Sequence, residues 1–531
     1  MKKLILFTFF AATMLGVNAQ MYQQKMATFL KLLDNYYVSD VNADSLVDVG
    51  MKHILKQLDP HSVYFTADEY AKANEPLEGN FEGVGIQFQI YEDTLIVVHV
   101  IDGGPSQKVG LLDGDKIIYV DTTLIAGVGI NNEDVFKYLK GKKGTKVTVK
   151  VLRYGEQELL DFEIIRDKIP IYAVTAQYMV DDEIGYIKLS RFSATATEEV
   201  EAAIDSLKNK GMTKLILDLT GNGGGYLSQA QALSDLFLND GKLIVYSEGK
   251  SQERQDLVST TEGNFQDGQL VVMIDQSSAS ASEIVSGAIQ DWDRGLVIGR
   301  RSFGKGLVQK GYFLPDKSVV RLTMAHYYTP SGRNIQRSYE KGKDEYYEDI
   351  NERYKSGELF DATKIPIKDS TKYYTNAKRV VYAGGGIIPD IFVPIDTTNS
   401  VKFYNKLIRT GSFNQFALKY VNDNRNTLSD KYSTEEKYID KFNIDKTLFD
   451  AFIDFAKEKK ATIDSTETME EVKPLIDLQL KALIGQNLFN YNIYYKIINI
   501  QDDIYRKAIE SFSNGAFKEH KIVSKDKPFR K

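Results

Sequence analysis

The chain has 531 residues, enough at roughly 150 residues per domain for three or four domains with substantial cores. Hydrophobic residues make up 43% and charged residues 26%, close to globular averages, which excludes a disordered chain and a multi-span membrane protein. A net charge of −6 leaves no bulk basic field for gripping a nucleic-acid backbone, so nucleic acid is not an expected partner. The absence of cysteine excludes disulfides, thiolate metal sites, a cysteine nucleophile and a lipobox lipid anchor. The five histidines (His53, His61, His99, His326, His520) form no HExxH pair, so no metal or other cofactor is expected. Catalysis, if present, draws on Ser, Lys, Asp, Glu or Tyr.

Residues 1–19 open with Lys2 and Lys3, run apolar from Leu4 to about Leu15 and end in the small-x-small pattern Val17-Asn18-Ala19. They predict a secretory signal peptide, because the apolar stretch falls short of the roughly 20 residues that span a bilayer. Export to the periplasm or cell envelope follows, without stable membrane insertion. Residues 20–80 carry apolar positions at helical spacing (Phe29, Leu32, Leu33, Tyr36, then Leu46, Val49, Met51, Ile54, Leu55), broken at Asp59-Pro60, and predict a helical N-terminal module. Residues 81–167 contain short β-rich runs (IQFQI, LIVVHV, KIIYV, KVTVKVLR, DFEII) between glycine turns, the layout of a compact β-rich domain. Residues 168–396 alternate strand and helix patterns and predict an α/β core. Residues 397–531 return to helical spacing and end in a basic tail from Lys518, read as a solvated end. The fold class is multidomain α+β. By position alone the two helical ends are candidate dimerisation or lid elements, so a homo-oligomer is one expectation.

Three segments of the α/β region could carry chemistry. Ser277-Ser278-Ala279-Ser280-Ala281-Ser282-Glu283 follows the apolar strand LVVMID and precedes the helical run EIVSGAIQDW. A strand entering small residues and then a helix presents a side chain beside the free N–H groups of the helix N-terminus, where an oxyanion could be held. A serine-rich helix cap with no chemistry fits the same residues. The segment Gly299-Arg300-Arg301-Ser302-Phe303-Gly304-Lys305-Gly306 misses the phosphate loop GxxxxGK[ST] by one residue. Gly306 replaces the hydroxyl that would bind Mg²⁺, and LVQKGYFL after it reads as a strand rather than the required helix. What remains is a lysine between glycines; burying it would depress its pKa from about 10.4 toward neutrality, as a general base requires. The third segment, LDLTGNGGG over 217–225, is a strand entering a glycine turn whose amides could approach a substrate or simply connect a strand to a helix.

Together these segments resemble the carboxyl-terminal processing peptidases, or tail-specific proteases. The blocks LDPHSVYF, GVGIQF, GLLDGDKIIYVD, GYIKLSRF, LILDLTGNGGGYL, SASASEI, SFGKGLVQ, YYTPSGRNIQ and GIIPD occur in that family's order. The resemblance implies a serine endopeptidase with a Ser–Lys dyad on a crotonase-like α/β core, preceded by a PDZ-like domain. It implies Ser280 as nucleophile, Lys305 as base and Gln309 as the residue that positions the lysine. The implied oxyanion donors are Ala281 and Gly225, with Gly224 as the near alternative. The implied carboxylate-binding loop is Gly83, Val84, Gly85 and Ile86, which would capture a polypeptide C-terminus while the peptide adds as a strand. This chain departs from the family's usual residues at Thr220 and His326, where Arg is common, and at Ser302, where Thr is common. A noncatalytic peptide-binding adaptor on the same scaffold is the alternative reading; the presence of Ser280, Lys305 and Gln309 favours the enzyme.

Overall fold

The computed structural model describes residues 21–153, 155–260, 263–367, 369–396, 402–464 and 467–522. The expected signal peptide and the tail beyond residue 522 lie outside them. The chain divides into two units, the smaller comprising Met1–Tyr70, Gln309–Thr323 and Tyr339–Tyr346 and the larger comprising the remainder.

In the smaller unit, residues 21–36 are helical and a second helix covers Ala43–Lys56. That helix starts where the Asn42 side chain accepts the Ser45 N–H; Asp44 lies in its first turn and Lys56 in its last, both matching the helix dipole. Beyond the break at Asp59-Pro60 the chain forms a three-residue strand, Val63–Phe65, paired antiparallel with residues 319–321. Helical spacing did not anticipate it, because three residues are too few to show alternation and the partner lies far along the chain. The Asp59 carboxylate organises the turn before this strand by accepting the N–H groups of His61 and Ser62, each at 2.8 Å, and the Ser62 hydroxyl at 2.5 Å.

The larger unit opens with the β-rich domain, whose sheet runs in the order Ile86–Tyr91, Thr94–Val100, Lys116–Val120, Lys146–Leu152, Leu160–Ile165. Its core is aliphatic, with Leu95, Val97, Ile117, Val149 and Ile164 buried. Ile86–Tyr91 is an edge strand. The helix Asn132–Leu139 is started by an Asn131 capping box and brings Phe136 edge-on to Phe88 of that strand, with ring centres 5.6 Å apart.

The α/β core is a six-stranded sheet in the order Val174–Met179, Ile184–Leu189, Lys214–Asp218, Gln269–Ile274, Leu296–Gly299, Ile391–Phe392. Its first pair is antiparallel and the rest are parallel. Leu215, Leu217, Val272 and Ile274 face the helices Ala196–Lys208, Leu227–Asp235 and Ala281–Asp291. Ile216, Val271, Met273 and Ile298 face the other way, onto Ile504, Tyr505 and Phe517 from the chain's end. Burial on both faces is why these strands read as unbroken apolar runs. Between the core and the final helices in chain order, residues 402–464 and 467–498 build a separate aromatic-rich helical core around Phe413, Phe416, Tyr438 and Phe452.

Candidate active site

Three neighbouring parallel strands, Lys214–Asp218, Gln269–Ile274 and Leu296–Gly299, end side by side. Each then enters one of the segments singled out above: the glycine turn, the serine turn and the lysine loop. Carboxyl ends of adjacent parallel strands are where open α/β sheets gather a site, so segments far apart in sequence converge there through the strand order.

The serine turn is pinned on both sides. Ala279 N–H and the Ser282 hydroxyl donate to the Asn222 carbonyl of the glycine turn at 3.0 and 2.9 Å, and Phe303 N–H of the lysine loop donates to the Ser278 carbonyl at 2.9 Å. Held in this way, Ser280 adopts φ 57°, ψ −110° immediately before the helix Ala281–Asp291. A side-chain-bearing residue there stores about 1–3 kcal/mol of backbone strain that the surroundings must hold, as in the sharp strand-to-helix turns that expose a nucleophile. Ser280 and Lys305 are both partly exposed.

Among the described residues the N–H groups of Ala281 and Gly225 have no acceptor, whereas Gly224 N–H donates to Asn222 Oδ1 at 2.9 Å. Gly224, at φ 100°, packs so closely on the serine turn that a Cβ would meet Ala279 O at 2.8 Å and Ser280 Cβ at 2.9 Å. Gly225, at φ 155°, lies against Phe192, whose carbonyl a Cβ would meet at 2.2 Å. Thr220 is tied into the base of this turn: its N–H and hydroxyl each donate to Asp218 at 2.7 Å, and Lys188 Nζ donates to its carbonyl at 2.6 Å. Asp218 also accepts from Tyr186, whose hydroxyl pKa is driven far upward, chiefly by burial.

In the smaller unit, Gln309 Nε2 donates to the His61 carbonyl at 2.5 Å, and the His61 ring meets Tyr346 edge-on with Nε2 2.9 Å from the phenol oxygen. In the β-rich domain, Gly85 takes φ 79°, and the carbonyls of Val84 and Gly85 accept from Ser106 and Ile101. Among the described residues the N–H groups of Val84 and Gly85 have no acceptor.

Comparison with known proteins bears directly on this arrangement. Residues 183–343 match the model of peptidase family S41 and residues 83–164 the PDZ domain, while residues 403–490 match a family of unknown function. A carboxy-terminal-processing protease of Bartonella bacilliformis is 37% identical over 60% of this chain and 74% of its own length. The carboxy-terminal processing protease CtpA of Bacillus subtilis is 34% identical over 64% of this chain and 69% of its own. The chain belongs to peptidase family S41. It is a serine-type peptidase that carries a PDZ domain. A solved photosystem II D1 C-terminal processing protease aligns at 27% identity over 58% of this chain and 83% of that one, with a TM-score of 0.33.

Two residues of this S41 peptidase that motif reading assigned no role stand at the centre of the site. Glu283, fully buried, accepts the Ser280 N–H at 2.8 Å and the Lys305 N–H at 2.9 Å on the same oxygen, Oε2. Its Oε1 accepts the Ser302 hydroxyl at 2.5 Å and the Gly304 N–H at 2.7 Å. Burial pushes the Glu283 carboxyl pKa up, against the opposing pull of those four donated bonds. Tyr327, on the strand Val319–Tyr328, directs its hydroxyl at the carbonyls of Lys305 (2.6 Å) and Ser280 (3.1 Å). The Ser280-x-x-Glu283 spacing of a capping box was a local signal for the glutamate; no local signal existed for the tyrosine.

The lysine loop is also backed by buried ion pairs. Arg301 holds Glu358 through two 2.7 Å bonds, and Arg353 of the helix Lys343–Ser356 donates to the carbonyls of Arg301 and Ser302 at 3.0 and 2.9 Å. Burial draws the Arg353 pKa down to about 10. Among the described residues no helix is long and apolar enough to cross a membrane.

Proposed function

We propose that this peptidase cleaves polypeptides with Ser280 as nucleophile and Lys305 as general base, choosing substrates by their C-terminal tails through its PDZ loop. The observation that carries the reading is the attachment of both residues' N–H groups to one buried carboxylate oxygen, beside two amides that have no acceptor among the described residues. Neutral Lys305 takes the Ser280 hydroxyl proton as Oγ attacks the scissile carbonyl carbon. The charge that develops on the carbonyl oxygen is met by the N–H groups of Ala281 and Gly225, a pair worth about 3 kcal/mol or more to the transition state. Gly225 is the better second donor, because the Gly224 N–H is already engaged by Asn222. As the intermediate collapses, protonated Lys305 passes its proton to the leaving amine; it then deprotonates the water that releases the acyl group from Ser280.

The amides of Val84 and Gly85, within the loop from Gly83 to Ile86, suit a terminal carboxylate, and the edge strand Ile86–Tyr91 can accept the peptide as an added strand. Phe88 and Phe136 border the place for an apolar terminal side chain. The leader over residues 1–19 directs export; in chain order residues 20–80 precede the reader (81–167), and residues 397–531 follow the core (168–396).

The test is cleavage of an unfolded protein with an apolar C-terminal tail by the mature chain and by its Ser280→Ala and Lys305→Ala variants. Both substitutions abolish turnover if the reading holds; wild-type cleavage by either overturns it. Amidating the tail's carboxylate weakens capture, and undiminished binding of the amidated tail rules out the carboxylate loop.

A further inference from the structure

The peptide groups of Ser280 and Lys305 are bracketed by the same two side chains from opposite sides. Glu283 accepts both N–H groups on one oxygen, at 2.8 and 2.9 Å, and the Tyr327 hydroxyl lies 3.1 and 2.6 Å from the two carbonyls. Glu283 is 0% exposed and Tyr327 1%. An ionised carboxylate only accepts hydrogen bonds and has about four lone-pair positions; four donors fill them here, two from the lysine loop's other residues, Ser302 and Gly304. A buried charge left short of donors is costly, so the carboxylate holds all four donor groups at short range.

We infer that Glu283 and Tyr327 are positioning residues that fix the separation of nucleophile and base, the carboxylate from the N–H side and the phenol from the C=O side. The inference rests on the reading of Ser280 and Lys305 as that pair. Its physical basis is the steep distance dependence of proton transfer: the base must lie within hydrogen-bond reach of the hydroxyl, and a displacement of about 1 Å costs on the order of 100-fold in rate. Two anchors are needed because Ser280 sits at φ 57°. Such a conformation persists only while its surroundings over-determine it; the Ser280 carbonyl also accepts the Glu283 and Ile284 N–H groups at 2.9 and 3.0 Å, and the phenol adds a tie between that carbonyl and the carbonyl of Lys305. Glutamine at 283 keeps the shape but places an NH₂ donor against two of the four donors. Phenylalanine at 327 removes one oxygen and nothing else.

The experiment uses the full mature chain and its Glu283→Gln, Tyr327→Phe, Ser280→Ala and Lys305→Ala variants. It measures kcat and KM on a peptide substrate and the rate at which a fluorophosphonate labels Ser280. Tyr327→Phe and Glu283→Gln lower kcat and the labelling rate by about 10- to 100-fold at unchanged KM, with circular dichroism like that of the wild type. A general loss of structure would not confine the change to kcat. Wild-type kcat in folded Tyr327→Phe, or a loss lying wholly in KM, overturns the inference. If Glu283→Gln does not fold, Tyr327→Phe decides alone. Inactive Ser280→Ala and Lys305→Ala beside fully active Tyr327→Phe and Glu283→Gln would remove the positioning role and leave the dyad standing. Full activity in Ser280→Ala or Lys305→Ala would remove both.

Discussion

Gly224 offers the sharpest test of how the glycine turn and the serine turn fit together. Its φ of 100° lies where L side chains are strained, at about 1–2 kcal/mol for a residue with a Cβ. The added methyl of Gly224→Ala would also stand 2.8 Å from Ala279 O, 2.9 Å from Ser280 Cβ and 3.0 Å from Ala281 N. Two of those atoms are backbone, pinned by Asn222 and by the start of a fully buried helix, so they cannot yield cheaply. Overpacking of this kind adds about 1–3 kcal/mol. The total, about 2–5 kcal/mol, corresponds to a fall of roughly 5–20 °C in the thermal midpoint of a domain this size. The same contact pushes Ser280 itself, so kcat falls by about 10- to 100-fold even at temperatures where the variant is folded. Gly223→Ala is the internal control. A Cβ there meets nothing within 4 Å and Gly223 lacks the positive φ of its neighbours, so its midpoint stays within the change expected of a surface substitution, about 0.5 kcal/mol. Differential scanning fluorimetry and initial rates on one peptide substrate read both quantities. A Gly224→Ala protein with wild-type midpoint and rate, or a Gly223→Ala protein as damaged as it, would refute the packing argument.

Two further outcomes follow from the ion pairs. Glu358→Gln leaves the buried Arg301 guanidinium without its carboxylate, which costs about 3–5 kcal/mol and lowers the urea midpoint; an unmoved midpoint counts against the pair as a support of the lysine loop. His99 is held above its usual pKa of 6.5, first by its hydrogen bond to Asp113 and then, against partial burial, by the charges of Asp113 and Asp102. A raised histidine contributes stability that is complete below pH 6.5 and is lost as pH rises through its folded-state value. The thermal midpoint of the wild type therefore exceeds that of His99→Gln more at pH 6 than at pH 9, and an equal or reversed difference would show that the pairing contributes nothing.

Much of the site was written locally. KLILDL and LVVMID read as buried strands because both faces of the sheet are covered, and Gly224 and Gly225 announced positive φ where a turn and a close approach require it. Other elements carried no local signal. The helix Lys343–Ser356 presents Arg353 rather than an apolar stripe inward, so hydropathy passes over it. Val63–Phe65 is a strand only because 319–321 lies beside it. Thr220, conspicuous as a departure from the family's usual residue, gained a structural account only once Lys188 and Asp218 were seen around it.

Sequence alone supplied the candidates for the chemistry: which hydroxyl, which amine and which glycines stand in turns, with no thiol and few imidazoles to compete. Residue type and immediate neighbours decide such things. Tertiary structure decided which peptide groups are held against which. It brought Tyr327, 47 residues from Ser280, onto both carbonyls, made Glu283 a buried acceptor for two separate loops, and used Ile504, Tyr505 and Phe517 to close the second face of the core sheet. Those contacts depend on strand order and burial, which arise only when distant segments share one core, and no window of the sequence contains them.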